Sequence, residues 1–238
     1  MTELTFPPIG SPVRLQTLCR LAGMLYVAII VTGLLAELGI RARLIDFANP
    51  QATAEAIRSA PGLFRLSMGA DLVMALCDAG LAILLYLVFS ERASGAVRGL
   101  ALAAMVFRLI QTVLIAANLM TMQAAFLLLG ADLSQLALMC LRLHAYGYDL
   151  GLVFFGVNSW LMGALVLATP LFGRFLGYGL MLAGTVYLTG SALSLFLPDL
   201  SPVFAPAYGI TIVVEVAFAL CLLLRQEPAL RHPDRDLS

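Results

Sequence analysis

Six separate runs of about 20 mainly apolar residues punctuate the chain, and that is the length a helix needs to cross a hydrocarbon core of about 30 Å. They cover about Thr17 to Leu38, Leu66 to Phe89, Gly99 to Leu129, Tyr146 to Ala168, Gly177 to Leu197 and Pro206 to Leu224, each bounded by Pro, Gly or charge. Buried strands are far shorter than this, so the pattern predicts an all-α fold: a polytopic transmembrane helix bundle with six spans. The first run is too long for the apolar part of a signal peptide, and no small-residue cleavage site comes after it, so it reads as a span. Gly147, Gly151, Gly156 and Gly163 recur in and around the fourth span, as expected where helices pack closely in lipid.

Only 12% of residues are charged, about half the usual share for soluble domains, and mean hydropathy is +0.97. The lipid bilayer is therefore the principal partner. Acidic and basic residues balance at 14 each, which gives no overall field to attract nucleic acid. Every basic residue is arginine, so lysine Schiff-base chemistry and a P-loop lysine are excluded. Cys19, Cys77, Cys140 and Cys221 are scattered without a CxxC pair, and His144 and His232 are the only histidines. That set predicts neither a metal site nor a cofactor.

The chain divides into three stretches: residues 1–16 as a cytoplasmic N-terminal segment, 17–225 as the transmembrane domain and 226–238 as a polar cytoplasmic tail. Orientation comes from arginine counting. Arg14, Arg20, Arg92, Arg98, Arg174, Arg225, Arg231 and Arg235 fall on the side of the two termini, against Arg41, Arg43, Arg58, Arg65 and Arg142 on the other. Both termini are expected in the cytoplasm. The long first outer loop contains QATAEAIRSA, closed by Pro61 and Gly62, which predicts a short surface helix. LSQLALMCLRLHAY, ahead of the fourth span, lies along the interface or extends that span outward.

The informative residues are those that resist burial in lipid. An ionisable side chain at the bilayer centre costs about 2.5–3.5 kcal/mol on the insertion scale and usually pairs or lines a cavity. Asp78, Arg108 and Glu215 lie at matched depth in the second, third and sixth spans, about 15–18 Å from the inner edge at 1.5 Å per residue. The eleven Leu, Ile, Val and Phe between Leu66 and Phe89 favour insertion by about 5 kcal/mol, no more than two central aspartates oppose it. Asp78 therefore needs a partner, and Arg108 is at the right height. Arg108, Gln111 and Asn118 form one polar stripe on the third span. These five, Asp78, Arg108, Glu215, Gln111 and Asn118, are the candidate binding residues. Either the charges clamp helix register, or Asp78, Arg108 and Glu215 line a cavity that binds a polar group or passes a proton.

A second cluster lies at the outer ends: Glu37, Arg65, Asp71, Arg142, His144, Tyr146 and Asp149. Here Arg142, Tyr146 and Asp149 share one helix face, while His144, Tyr148, Gly151 and Phe155 share another. His144 with Asp71, Asp149 or Glu37 as acid or base is the one constellation that admits catalysis. No GxSxG, HExxH or glycine-rich phosphate loop is present, which favours a non-enzymatic role. LAGMLYV, Leu21 to Val27, is echoed by LAGTVYL, Leu182 to Leu188, and the span after each carries one deep carboxylate.

RLAGMLYVAIIVTGLLAE, GLFRLSMGADLVMALCD, FRLIQTVLIAANLM and LHAYGYDLGLVFFGVNSWLMG together resemble the bacterial membrane family catalogued as domain of unknown function 4386, from about Arg20 to Arg225. The resemblance implies a multi-span helical protein of a bacterial inner (plasma) membrane and assigns no activity. Three readings stand: binding or translocation of a small molecule, lipid or ion at the Asp78, Arg108 and Glu215 site; an intramembrane enzyme using His144; or a structural or regulatory membrane partner without chemistry.

Overall fold

The computed structural model describes residues 12–91, 93 and 95–225. Arg92 and the 226–238 tail, with Arg231, His232 and Arg235, lie outside the described residues, as do residues 1–11. Among the described residues six helices are long and apolar enough to cross a membrane, which makes the chain a multi-pass integral membrane protein.

The first span begins as α1 (Pro12–Leu34), passes through a π-helical segment (Leu35–Arg41) and ends in the single turn α2 (Ala42–Leu44). It therefore runs six residues beyond the Leu38 boundary expected from hydropathy. The second span is α4 (Pro61–Ser90), the third α5 (Gly95–Gly130), the fourth α6 (Ser134–Ala168) and the fifth α7 (Arg174–Phe196). At 35 residues α6 is continuous, so LSQLALMCLRLHAY extends the fourth span. The 36 residues of α5 reach about 54 Å, well past the hydrocarbon thickness. The sixth span starts irregularly: a 3-10 turn, the short α8 (Ser201–Phe204), a second 3-10 turn, then α9 (Tyr208–Leu224). Pro198, Pro202 and Pro206 account for the breaks, since none can donate a backbone hydrogen bond to the preceding turn.

The expected surface helix is α3 (Pro50–Ser59). Asn49 caps it by accepting from the Ala52 amide at 3.0 Å, with Pro50 in the first helical position. Its buried stripe, Thr53, Ala54 and Ile57, packs on α6 and α4. Arg58 then reaches the Leu129 carbonyl at 2.7 Å and the Asp132 carboxylate at 2.5 Å. That contact secures the end of α5, where Asp132 adopts a left-handed φ of 60° and the Leu133 amide reaches back to the Leu128 carbonyl.

Each span packs on its chain neighbours and the last packs on the first, so the six form a closed ring in chain order. Both ends of the described chain lie on one side, here the terminal side; α3 marks the opposite, loop side. Close backbone approach closes two seams. A Cβ on Gly163 would stand 2.6 Å from the Gly177 carbonyl oxygen, and one on Gly184 would stand 2.7 Å from that of Gly156, so α6 and α7 meet on glycine. Gly23 does the same for α1 against Leu223 of α9. The terminal half of the ring is filled by Leu15, Cys19, Leu81, Phe89, Leu165, Phe218 and Leu222. The loop half is packed on one flank, where Ile57, Phe64, Met122 and Leu141 meet beside α3. The rest of it is open, and the candidate site lies there.

Candidate functional site

Arg108, on the third span, is the largest fully buried side chain of the described residues, at 2% exposure. Its Nε donates to Asp78 Oδ1 at 2.7 Å, and its Nη2 lies 2.6 Å from the same oxygen, off the hydrogen-bond axis. Thr112, one turn on, donates to the other carboxylate oxygen at 2.8 Å. Tyr26 and Phe155 place their ring faces 5.2 and 5.1 Å from the guanidinium carbon, so the cation is sandwiched as well as paired. Asn158 completes the shell: it donates to the Ala104 carbonyl at 2.8 Å and turns its own oxygen toward Arg108.

Glu215 stands apart from this pair. It accepts from the Tyr187 hydroxyl at 2.5 Å, and the described residues place no arginine within ion-pair distance of it. The arginine at matched depth therefore goes to Asp78 alone, because α4 and α5 are adjacent in the ring whereas α9 lies across it.

The outer cluster is organised by Arg41, which hydropathy leaves in a loop. The π segment inserts an extra residue into the turn and so rotates the residues after it by about 100°. Arg41 thereby points inward at 3% exposure, ion-paired to Asp71 and bonded through Nε and Nη2 to Glu37 at 2.9 and 2.7 Å. Arg65, expected in this cluster, instead lies over the Phe126 ring at 4.8 Å, and Arg142 donates to the Phe47 carbonyl. Asp149 separates from Arg142 and the exposed Tyr146, accepting from Ser194 on α7.

Between these two layers is a cavity of about 630 Å³ lined by all six spans. Its walls run from Phe47 and Ser201 on the loop side down to Arg108, Asp78 and Glu215. Glu37, whose side chain is 57% exposed, stands at the wide end. The apolar plug around Tyr26, Leu81 and Phe218 closes the other. The irregular stretch before α9 contributes Ser201, Ala205 and Tyr208 to the wall, which suits a backbone that departs from helix at membrane depth.

Of the expected binding residues, Asp78, Arg108, Gln111 and Glu215 line this space; Asn118 does not. Asn118 instead ties α5 to α6, donating to the His144 carbonyl at 2.6 Å while His144 Nδ1 lies 3.3 Å from the Asn118 carbonyl. The expected acid–base residues divide likewise: Glu37, His144 and Asp149 line the cavity, and Asp71 sits behind Arg41. Gln111 Oε1 and His144 Nε2 are buried without a hydrogen-bond partner, in residues 7% and 6% exposed on the cavity wall. Sequence reasoning missed Arg41, Tyr187, Tyr208 and Ser194. Tyr187 alone carried a signal, as the counterpart of Tyr26 in the LAGMLYV and LAGTVYL echo.

No curated protein and no solved structure matches the chain. The family described as domain of unknown function (DUF4386) matches residues 21–225, and the chain belongs to that family.

Proposed function

We propose that this integral membrane protein binds or translocates a small molecule, lipid or ion, in a cavity entered from the loop side and floored by Asp78, Arg108 and Glu215. The observation that supports this is the cavity itself. A polar clamp that only fixed helix register would be dry and close-packed, whereas about 630 Å³ of space reaches the buried charges. The arginine distribution supports a cytoplasmic side for both termini in a bacterial plasma membrane, and on that reading the cavity faces outward. Passage to the terminal side then requires the apolar plug to part.

Native mass spectrometry on protein extracted from its own membrane tests the reading: a retained small molecule or lipid is expected, weakened by Glu215→Gln. If Asp78→Asn and Glu215→Gln both left ligand retention and proton response in liposomes unchanged, the reading is lost. His144 supports a second reading, an intramembrane enzyme, because it lines the same cavity as Glu37 and Asp149. Full turnover by a His144→Ala variant, on any substrate found in the cavity, removes it.

A further inference from the structure

The polar inventory of the cavity wall is lopsided. Glu37, Asp78, Asp149 and Glu215 supply four carboxyl groups; Arg41 and Arg108 supply two guanidinium groups. Both arginines are already taken, Arg108 by Asp78, and Arg41 by Glu37 and Asp71. Asp149 and Glu215 have only hydroxyl partners, Ser194 and Tyr187. Of the three partnerless atoms in wall residues two are acceptors, and the third, Arg108 Nη2, is a donor that already lies 2.6 Å from Asp78 Oδ1. His144 Nδ1 faces a carbonyl oxygen and so carries the ring proton, which leaves Nε2 a bare acceptor; Gln111 Oε1 is another. Each residue is more than nine-tenths buried and forms part of the wall. What is missing from this space is a hydrogen-bond donor with positive charge.

The aromatic residues supply the rest of a cation site. Phe155, Tyr187 and Tyr208 succeed one another edge to face, with centroids 5.0 and 5.9 Å apart, next to the Glu215 carboxyl that Tyr187 holds. Ring faces carry negative electrostatic potential and attract desolvated cations, most of all quaternary and protonated amines. The volume lies in the range of about 300–1,000 Å³ typical of drug-sized ligands, which sets it apart from a proton wire or a bare metal site.

Resting on the cavity as a binding site, we infer that its ligand is an organic cation, an amphiphile whose ammonium head sits at Glu215 beside Tyr187 and Tyr208, the rings that Arg108 does not already face, and whose apolar body runs up the wall toward Leu38. An anionic ligand would meet no uncommitted cation on that wall. A neutral one would leave Asp149 and Glu215 with hydroxyl partners alone.

Three amphiphiles of one chain length separate these cases: octylammonium, octanol and octanoate, titrated by calorimetry into the full chain in nanodiscs, with empty nanodiscs as the partition reference. Octylammonium is expected to bind saturably and roughly tenfold tighter than octanol, with octanoate weakest. Glu215→Gln should bring octylammonium down to the octanol level and leave octanol unchanged. Equal affinity for ammonium and alcohol, or preference for octanoate, overturns the cation assignment while the cavity remains a binding site. Saturable binding of none of the three overturns both. Selectivity unchanged in Glu215→Gln and in Asp149→Asn removes the proposed seat for the head. Should Glu215→Gln fail to fold, the ranking of the three probes on the natural sequence still decides.

Discussion

Arg108 and Asp78 show what a charge demands at membrane depth. Both are almost wholly buried and hold each other, with Thr112 donating to the carboxylate and two ring faces covering the guanidinium. Removing one partner strands the other, and for a buried pair that costs about 3–5 kcal/mol. Arg108→Met should therefore lower unfolding stability in detergent by about that amount, while Asp78→Leu combined with Arg108→Met should lose less than the sum of the two single changes. Additive losses in that cycle would show that the two side chains act independently. This pair was legible in the sequence because insertion cost singles out deep charges and chain order makes neighbouring spans adjacent. Arg41 was not, because near a span end a guanidinium is inexpensive and hydropathy gives it no reason to turn inward. Tyr187 was hidden differently: an aromatic in an apolar run looks like packing until its hydroxyl is seen on Glu215.

At the scale of elements, span number, order and the surface helix α3 came from lengths and turn chemistry, whereas helix regularity did not. Nothing in LAELGIR marks a π turn, yet that segment places Arg41 between Glu37 and Asp71. Arg41→Leu should free Asp71, whose Oδ1 already lacks a partner, and loosen the loop-side end of the first span against α4. Hydrogen exchange read by mass spectrometry should rise across residues 35–44 with the terminal half unchanged; uniform protection throughout would count against the clamp. The glycine seam between α6 and α7 is less forgiving. Gly184→Ala would place a methyl 2.7 Å from a backbone oxygen, which no rotamer can relieve, so the helices must separate. A loss of about 1–3 kcal/mol is expected, against little change for Gly209→Ala, where a Cβ meets nothing within 4 Å. Equal effects at the two positions would deny the seam its role.

The whole molecule is a ring of six helices filled on the terminal side and hollow on the loop side. No run of sequence encodes that hollow, since a cavity is set by which side chains fall short of one another, not by any residue present. It does bring together polar groups from all six spans, Glu37, Asp78, Arg108, His144, Ser194 and Glu215 among them, around one space. A hollow open at one end predicts one-sided accessibility to a membrane-impermeant thiol reagent. In a background with Cys19, Cys77, Cys140 and Cys221 replaced by alanine, Ser201→Cys at the wide end and Gln111→Cys at the base should both react with reagent added on the loop side, the first faster. Ala22→Cys, in the plug and fully buried, should react from neither side. If reagent on the terminal side modified Gln111→Cys, the plug would be a passage and the hollow one half of a channel. Protection of Gln111→Cys by octylammonium, but not by octanol, would join this map to the charge of the ligand, because the probe would then be seated on the floor where Glu215 and Gln111 meet the same space.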